Sequence, residues 1–314
     1  MPNTNVKTNL DYLLSFLDML QDQAPDNVMT MFFVQKNTTD TYISYMPQIS
    51  NDLQKKVMEV VLPNLKDSLQ RRKAVDYNPI GVADGENERI ASTQVNNISI
   101  FLESISEENL YTDMSTIKID KISFYVIRIK WDDDIVYLFR QFTKVSKLRK
   151  GLISQIVENE LKEMDNNFLG IDGYTDMALY RNDLIVLNHV SLERIFNYRD
   201  EFMTITNNAL DEIERHGVIN NIDQFAEDCK RDIRVLKRFT NIMNSNRLPL
   251  FFKYYDKVPK IVKTLGIDLE FDKKGHLIYR EKSQLFHIIN LMSDSYFRSL
   301  LADRIGIAVL EDKI

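Results

Sequence analysis

One cysteine among 314 residues leaves no partner for an intramolecular disulfide. An oxidising compartment is not a structural requirement, and the cytoplasm is the expected location. Glycine is scarce too, 9 in all, and neither Gly-x-Gly-x-x-Gly nor Gly-Lys-Ser/Thr occurs. Nucleotide hydrolysis on a P-loop is thereby excluded, and the missing Gly-x-Ser-x-Gly removes the nucleophile elbow. The four histidines, His189, His216, His276 and His287, show no i, i+4 pairing and no cysteine partner, which argues against zinc. No stretch approaches the roughly 18 to 20 apolar residues of a membrane helix; Met29–Val34 and Leu184–Val190 are strand-length. The opening MPNTNVKTNLDYLL lacks the basic segment, apolar stretch and cleavage site of a secretory signal, and reads as a mature start.

Hydrophobic residues make up 44% and charged residues 27%, with 17 Phe and 14 Tyr, a globular composition. The length fits one large domain or two ordinary ones. Asn9 before Leu10, Leu13, Leu14, Leu17 and Leu20 predicts a capped amphipathic helix. Val28–Val34 and Thr41–Tyr45 read as a hairpin, and Ser50–Leu69 as a helix with Leu53, Val57, Val60 and Val61 inward. Asp84-Gly85 predicts a strand pair around that turn, and Ile98–Ile105 reads equally as helix or strand. Ile117–Lys130 and Ile135–Phe142 form a second hairpin around Asp132-Asp133-Asp134, with the second strand apolar on both faces and therefore central. Tyr174–Tyr180 and Leu184–Val190 make a third.

The period then changes from two to 3.6. Ser191 is read as the cap of a short helix, and Phe202, Ile205, Ala209 and Ile213 mark another that stops at Gly217. Phe225, Cys229, Ile233, Leu236 and Phe239 trace one long helix. The end mixes helices (Pro259–Leu265, Lys282–Met292, Asp294–Leu301) with strands at Leu269–Phe271, Leu277–Tyr279 and Ile305–Leu310. The expected fold is α+β: a mostly antiparallel sheet with helices over residues 1–190, and a mainly helical domain over residues 191–314 packed closely on it.

Charge is unevenly spread. The formal net charge is −6, yet Lys230, Arg231, Arg234, Lys237, Arg238, Arg247, Lys253, Lys257, Lys260 and Lys263 face only Asp232 and Asp256, a local +8. Arg140, Lys144, Lys147, Arg149 and Lys150 add a local +5, leaving −19 on the rest. On one continuous helix Arg231, Arg234, Arg238 and Asn241 share a face opposite the core stripe. Phosphate is the natural partner for such a face, and Phe251, Phe252, Tyr254 and Tyr255 interleave with Lys253 and Lys257 as a stacking surface would. The same features also fit a solvated helix face over core aromatics.

Adjacent turn residues point apart, so Asp132–Asp134 makes a poor metal site. Glu311-Asp312-Lys313 resembles the Glu-x-Lys element of restriction-type nucleases only loosely. Cys229 lies on an apolar stripe, as a core thiol does. No catalytic residue, metal site or cofactor is assigned.

Ala178–Phe202, ALYRNDLIVLNHVSLERIFNYRDEF, is a hairpin followed by a short helix with the pattern Phe/Leu-x-Arg-Ile-Phe-x-Tyr-x-x-x-Phe. It resembles the family of the B subunit (KwaB) of the Kiwa anti-phage defence system. The overall length, the strand Ile135–Gly151 running into a basic segment, and a C-terminal helix over Leu291–Gly306 agree. The resemblance implies a DNA-binding effector, acting beside a small membrane-embedded, KwaA-like partner that recruits it to the inner face of the membrane. It implies no established active site. Such an effector would be a homodimer, would grip duplex DNA with little sequence specificity, and would block phage DNA replication or expression. The DNA-binding assignment to Arg140, Lys144, Lys147, Arg149, Lys150, Lys230, Arg231, Arg234, Lys237, Arg238, Arg247, Lys253 and Lys257 rests on charge, not on the family. Two alternatives stay open: a metal-dependent nuclease of the same system, and a non-enzymatic adaptor to a membrane subunit.

Overall fold

The structure is a computed structural model, and it describes residues 8–37, 41–83, 85–114, 117–118, 121–142, 154–157, 160–163, 170–298 and 305–308. The architecture is α+β. The chain divides into two compact units, one of Met1–Asp76 with Asp84–Asn197, the other of Tyr77–Ala83 with Tyr198–Ile314.

The first unit is built on a sheet. Its elements run α1 (Asn9–Gln23), β1 (Met29–Lys36), β2 (Tyr42–Tyr45), α2 (Asn51–Arg71), β3 (Lys73–Asp76), β4 (Glu86–Ala91), α3 (Ile98–Ser104), β5 (Phe124–Trp131), β6 (Asp134–Gln141), β7 (Ser154–Val157), β8 (Glu160–Glu163), β9 (Met177–Tyr180), β10 (Asp183–Val186) and α4 (His189–Ile195). Eight strands lie in the order β2-β1-β5-β6-β9-β10-β4-β3, and β7 pairs with β8 separately. β6 is internal to the sheet, as its two apolar faces require. Alternation along the strands sorts the core into two layers. Met31, Phe33, Tyr125, Ile127 and Leu138 meet Leu13, Phe16, Leu17, Val57, Val61 and Leu65 of α1 and α2. On the other face Phe124 and Phe139 pack against Phe101 of α3, and Phe139 against Phe196 beyond α4.

Four expectations change here. Thr8, not Asn9, caps α1, accepting from the Asp11 amide while Asp11 answers the Thr8 amide. Leu53 and Val60 are exposed, because α2 turns Gln54, Val57, Met58 and Val61 inward instead. β3 and β4 do pair, but in parallel, with Lys73 opposite Glu86 and Asp76 opposite Arg89. Gly85, at φ 90°, therefore ends a long excursion, not a hairpin. Finally Asn188, not Ser191, caps α4: its Oδ1 accepts from the Val190 and Ser191 amides at 3.1 and 3.3 Å.

In the second unit the elements are α5 (Tyr198–His216), β11 (Ile219–Asn220), α6 (Ile222–Arg231), α7 (Ile233–Asn244), α8 (Arg247–Lys253), a 3₁₀ turn at Tyr255–Lys257, α9 (Val258–Leu265), β12 (Glu270–Phe271), β13 (Leu277–Ile278), α10 (Leu285–Met292), β14 (Tyr296–Arg298) and β15 (Ile305–Ile307). The helices enclose Ala209, Ile213, Phe225, Cys229, Val235, Phe239, Leu248 and Ile288, all buried. Gly217, at φ 62°, closes α5 in the left-handed region that glycine tolerates. The helix expected over Asp294–Leu301 is absent where it is described: Asp294 sits at φ 52°, and Tyr296–Arg298 pairs as an antiparallel strand with Ile305–Ile307. The same pairing interrupts the helix expected over Leu291–Gly306. Among the described residues no helix is long and apolar enough to cross a membrane.

Candidate nucleic-acid interface

The basic stripe expected on one long helix is divided. Asp232 has extended backbone (φ −113°, ψ 113°) and ends α6, while its side chain caps α7 by accepting from the Arg234 amide at 3.0 Å. A short carboxylate bonding its own downstream backbone competes with helix continuation, and here it wins.

The arginines on either side are engaged. Arg231 Nη2 lies 2.5 Å from Glu227 Oε1. The Arg234 guanidinium forks onto Asp232, Nε to Oδ1 at 3.1 Å and Nη2 to Oδ2 at 2.7 Å. That pair keeps the Asp232 carboxyl below its ordinary value; the largest cause is the Arg234 hydrogen bond. Arg238 is half-buried, donates to Asn290 Oδ1 at 2.5 Å, and shares the Phe286 ring with Arg234, each guanidinium 5.3 Å from the centroid. Burial, then the neighbouring Arg234, lower its pKa. Arg247 donates to the Ser293 carbonyl at 2.7 Å, Lys237 is half-buried on α7, and Lys230 is exposed at the end of α6.

Downstream the arrangement differs. Of the four aromatics read as a stacking surface, three have other work. Phe251 is in the core, Phe252 stacks on His216 at 3.7 Å, and the Tyr255 hydroxyl accepts from the Leu277 amide and lies 2.8 Å from the Val218 carbonyl. Tyr254 alone is well exposed, at 43%. Two ammonium groups flank its ring, Lys253 Nζ 5.1 Å and Lys257 Nζ 4.4 Å from the centroid. Lys260 and Lys263 follow, exposed on α9. Lys253, Lys257, Lys260 and Lys263 form no ion pair with a described acid. An exposed aromatic among unpaired lysines offers phosphate neutralisation and a π-face in one place.

Arg140 belongs to neither group. It projects from β6 at 19% side-chain exposure, with Nε and Nη2 on Asp172 Oδ1 and Oδ2 at 3.0 and 2.6 Å and Nη1 on Asp176 Oδ1 at 2.8 Å. Burial works against its charge, but the two carboxylates outweigh it and raise the guanidinium pKa further. Asp176, nearly buried, also accepts from the Gln141 amide at 2.7 Å and Asn188 Nδ2 at 3.1 Å. Arg140 thus ties β6 to the β9 entry and the α4 cap, its guanidinium engaged by Asp172 and Asp176. Lys144, Lys147, Arg149 and Lys150 lie outside the described residues, as do Glu311, Asp312 and Lys313.

Carboxylate chemistry finds no centre among the described residues, where no group of three or more His, Cys, Asp or Glu could hold a metal. Asp132, at φ 52°, makes a tight turn with Asp133, while Asp134 accepts from the Tyr180 hydroxyl at 2.7 Å. Burial and that bond push the Tyr180 pKa up to about 12. Burial likewise raises the Cys229 thiol, keeping it protonated.

Residues 119–302 match the model of the Kiwa protein KwaB-like family. Among curated proteins, the chain is 24% identical over 217 residues to "Kiwa protein KwaB" of Escherichia coli O55:H7, covering 66% of this chain and 65% of that protein. The chain thus spans about two thirds of that relative's length, and no solved structure matches it. The matched residues take in β5 and β6, the hairpin and helix of Ala178–Phe202, and the lysine cluster around Tyr254. The chain belongs to the Kiwa protein KwaB-like family.

Proposed function

We propose that the chain is a DNA-binding effector of Kiwa anti-phage defence, holding duplex DNA through its phosphates with little sequence preference. One observation carries the reading: Tyr254 stands exposed between Lys253 and Lys257, and Lys260 and Lys263 continue the positive surface without acidic partners among the described residues. Lys230 and the basic segment at residues 144–150 extend the same chemistry along the sequence. A protein held this way would obstruct enzymes that must move along the same DNA and so block phage replication or expression. The strongly acidic remainder suits docking onto a basic cytoplasmic face of a small membrane-embedded, KwaA-like partner.

The test is titration into duplex DNA across a salt series, with and without Mg²⁺. A variant with Lys253, Lys257, Lys260 and Lys263 changed to Ala should bind more weakly on every sequence and lose about one unit of log–log salt slope per phosphate contact removed. Unchanged affinity overturns the site. Absence of binding at low salt overturns the function in favour of an adaptor, and product formed only with Mg²⁺ favours the nuclease.

A further inference from the structure

The lysines around Tyr254 lead into a cleft of the same unit. Lys257 ends the 3₁₀ turn, and one helical turn later Lys260 and Ile261 of α9 line a cavity of about 310 Å³ between α9, the end of α10 and β14. That volume is within the range of small-molecule sites. Leu291 and Phe297 add apolar wall, and Phe297 is 50% exposed, so much of its ring meets water at the cleft. An aromatic face left open in this way is a platform for another ring.

Two side chains of opposite charge line the same cavity. Lys260 continues the row begun by Lys253 and Lys257, and Asp294 stands exposed at the φ 52° corner that follows α10. A ligand that matches this set carries an anionic group for the lysines, a flat π-face for Phe297 and an N–H donor for the carboxylate. An acyl chain gives Asp294 nothing to accept, and a free phosphate gives Phe297 nothing to stack on. A nucleotide outside a duplex has all three, because its base face and its Watson–Crick edge are released from stacking and pairing.

We propose that this cleft receives an unpaired base of the DNA whose phosphates rest on Lys253, Lys257 and Lys260, so that the chain prefers DNA with a single-stranded overhang to a blunt duplex. The inference rests on the nucleic-acid reading above and names the form of DNA within it.

Anisotropy titration of the full chain at low salt tests it on one duplex with three ends: blunt, a short overhang with its bases, and the same overhang made abasic, which keeps the phosphates. The overhang with bases should bind at least about fivefold more tightly than the abasic one. Phe297→Ala, at an exposed position, should erase that difference and leave blunt-duplex affinity at the parental value, while Phe297→Tyr should retain it. Equal binding of the two overhangs overturns the proposal and leaves the lysine site intact. A preference for bases that persists in Phe297→Ala also overturns it, since the base then stacks elsewhere. Absence of binding to every form of the duplex overturns the nucleic-acid reading, and this inference with it.

Discussion

His189 Nδ1 lies 2.6 Å from Oε2 of the buried Glu88, and Glu193 takes the other ring nitrogen at 2.7 Å. Burial disfavours the imidazolium, but the Glu193 carboxylate in ion-pair contact with Nε2 and the Glu88 hydrogen bond at Nδ1 outweigh it and raise the pKa from 6.5 to about 9. The proton is thus bound more tightly in the folded chain than in the unfolded one. Its stabilisation is complete below about pH 6.5, declines through the interval, and is gone above about pH 9. With the side chain 20% exposed, the linked energy is on the order of 2–3 kcal/mol. Urea unfolding at pH 6.5 and 9.5 should show that loss in the parent and a smaller one in His189→Gln. Equal losses in both would mean the ring is not the titrating group.

Arg140 makes a second prediction, one that separates stability from binding. Removing the guanidinium leaves Asp176, 1% exposed, as a buried charge with its main partner gone. Arg140→Ala should cost about 3–5 kcal/mol of unfolding free energy. Arg140→Lys should recover only part of it, since an ammonium cannot reproduce the two-pronged contact with Asp172. DNA affinity of the folded fraction should stay at the parental value; a fall at unchanged stability would return Arg140 to the interface.

These residues mark where sequence reading succeeds and stops. The hairpin of β5 and β6 and the central place of β6 were legible because a period of two with apolar residues on both sides has one structural solution. The break at Asp232 was not, because Phe225, Cys229, Val235, Leu236 and Phe239 keep helical spacing on both sides of one extended residue. The β14 strand was hidden in the same way: Tyr296 and Phe297 suit a helix as well as a strand, and the decision came from Asp294 at φ 52° and from the pairing with β15. For the candidate site, counting charges marked the lysines around Tyr254 and the nearby arginines alike, since Glu227, Asn290 and Ser293 meet their arginines only once helices pack.

Asp232 itself offers a test of that distinction. Asp232→Ala removes the α7 cap and should destabilise the chain by about 1 kcal/mol. It also releases the Arg234 guanidinium, which now bonds back onto Asp232 Oδ1 and Oδ2. A filter-binding titration should therefore find duplex affinity equal to or above the parent's, despite lower stability. Weaker binding would assign Asp232 a direct part in holding the interface together.

Tyr254 should discriminate between forms of DNA. An exposed ring between two ammonium groups can stack on an unpaired base, a contact worth about 1–3 kcal/mol, whereas intact duplex offers it no open base face. Tyr254→Ala should weaken single-stranded binding several-fold more than duplex binding, and Tyr254→Phe should preserve both. Anisotropy titrations with matched oligonucleotides measure this, and equal losses on both substrates would reduce the ring to a support for the flanking lysines.

Gly173 carries the last prediction. Its carbonyl accepts from Asn64 Nδ2 at 3.2 Å, which brings the segment before β9 directly onto α2. A Cβ at residue 173 would run into Asn64 Nδ2, stand 2.7 Å from Val60 Cγ1 and meet the Val60 carbonyl at 3.2 Å. The Val60 side chain can rotate, but the helix carbonyl cannot move without disturbing its own ladder, so the segment itself must lift. Gly173→Ala should thus cost about 1–3 kcal/mol by overpacking. The neighbouring Asp172 should lose part of its grip on Arg140, so the double change Gly173→Ala with Arg140→Ala should cost less than the two single losses added together. Thermal unfolding of the four proteins measures the cycle, and strict additivity would show that the glycine and the ion pair act independently.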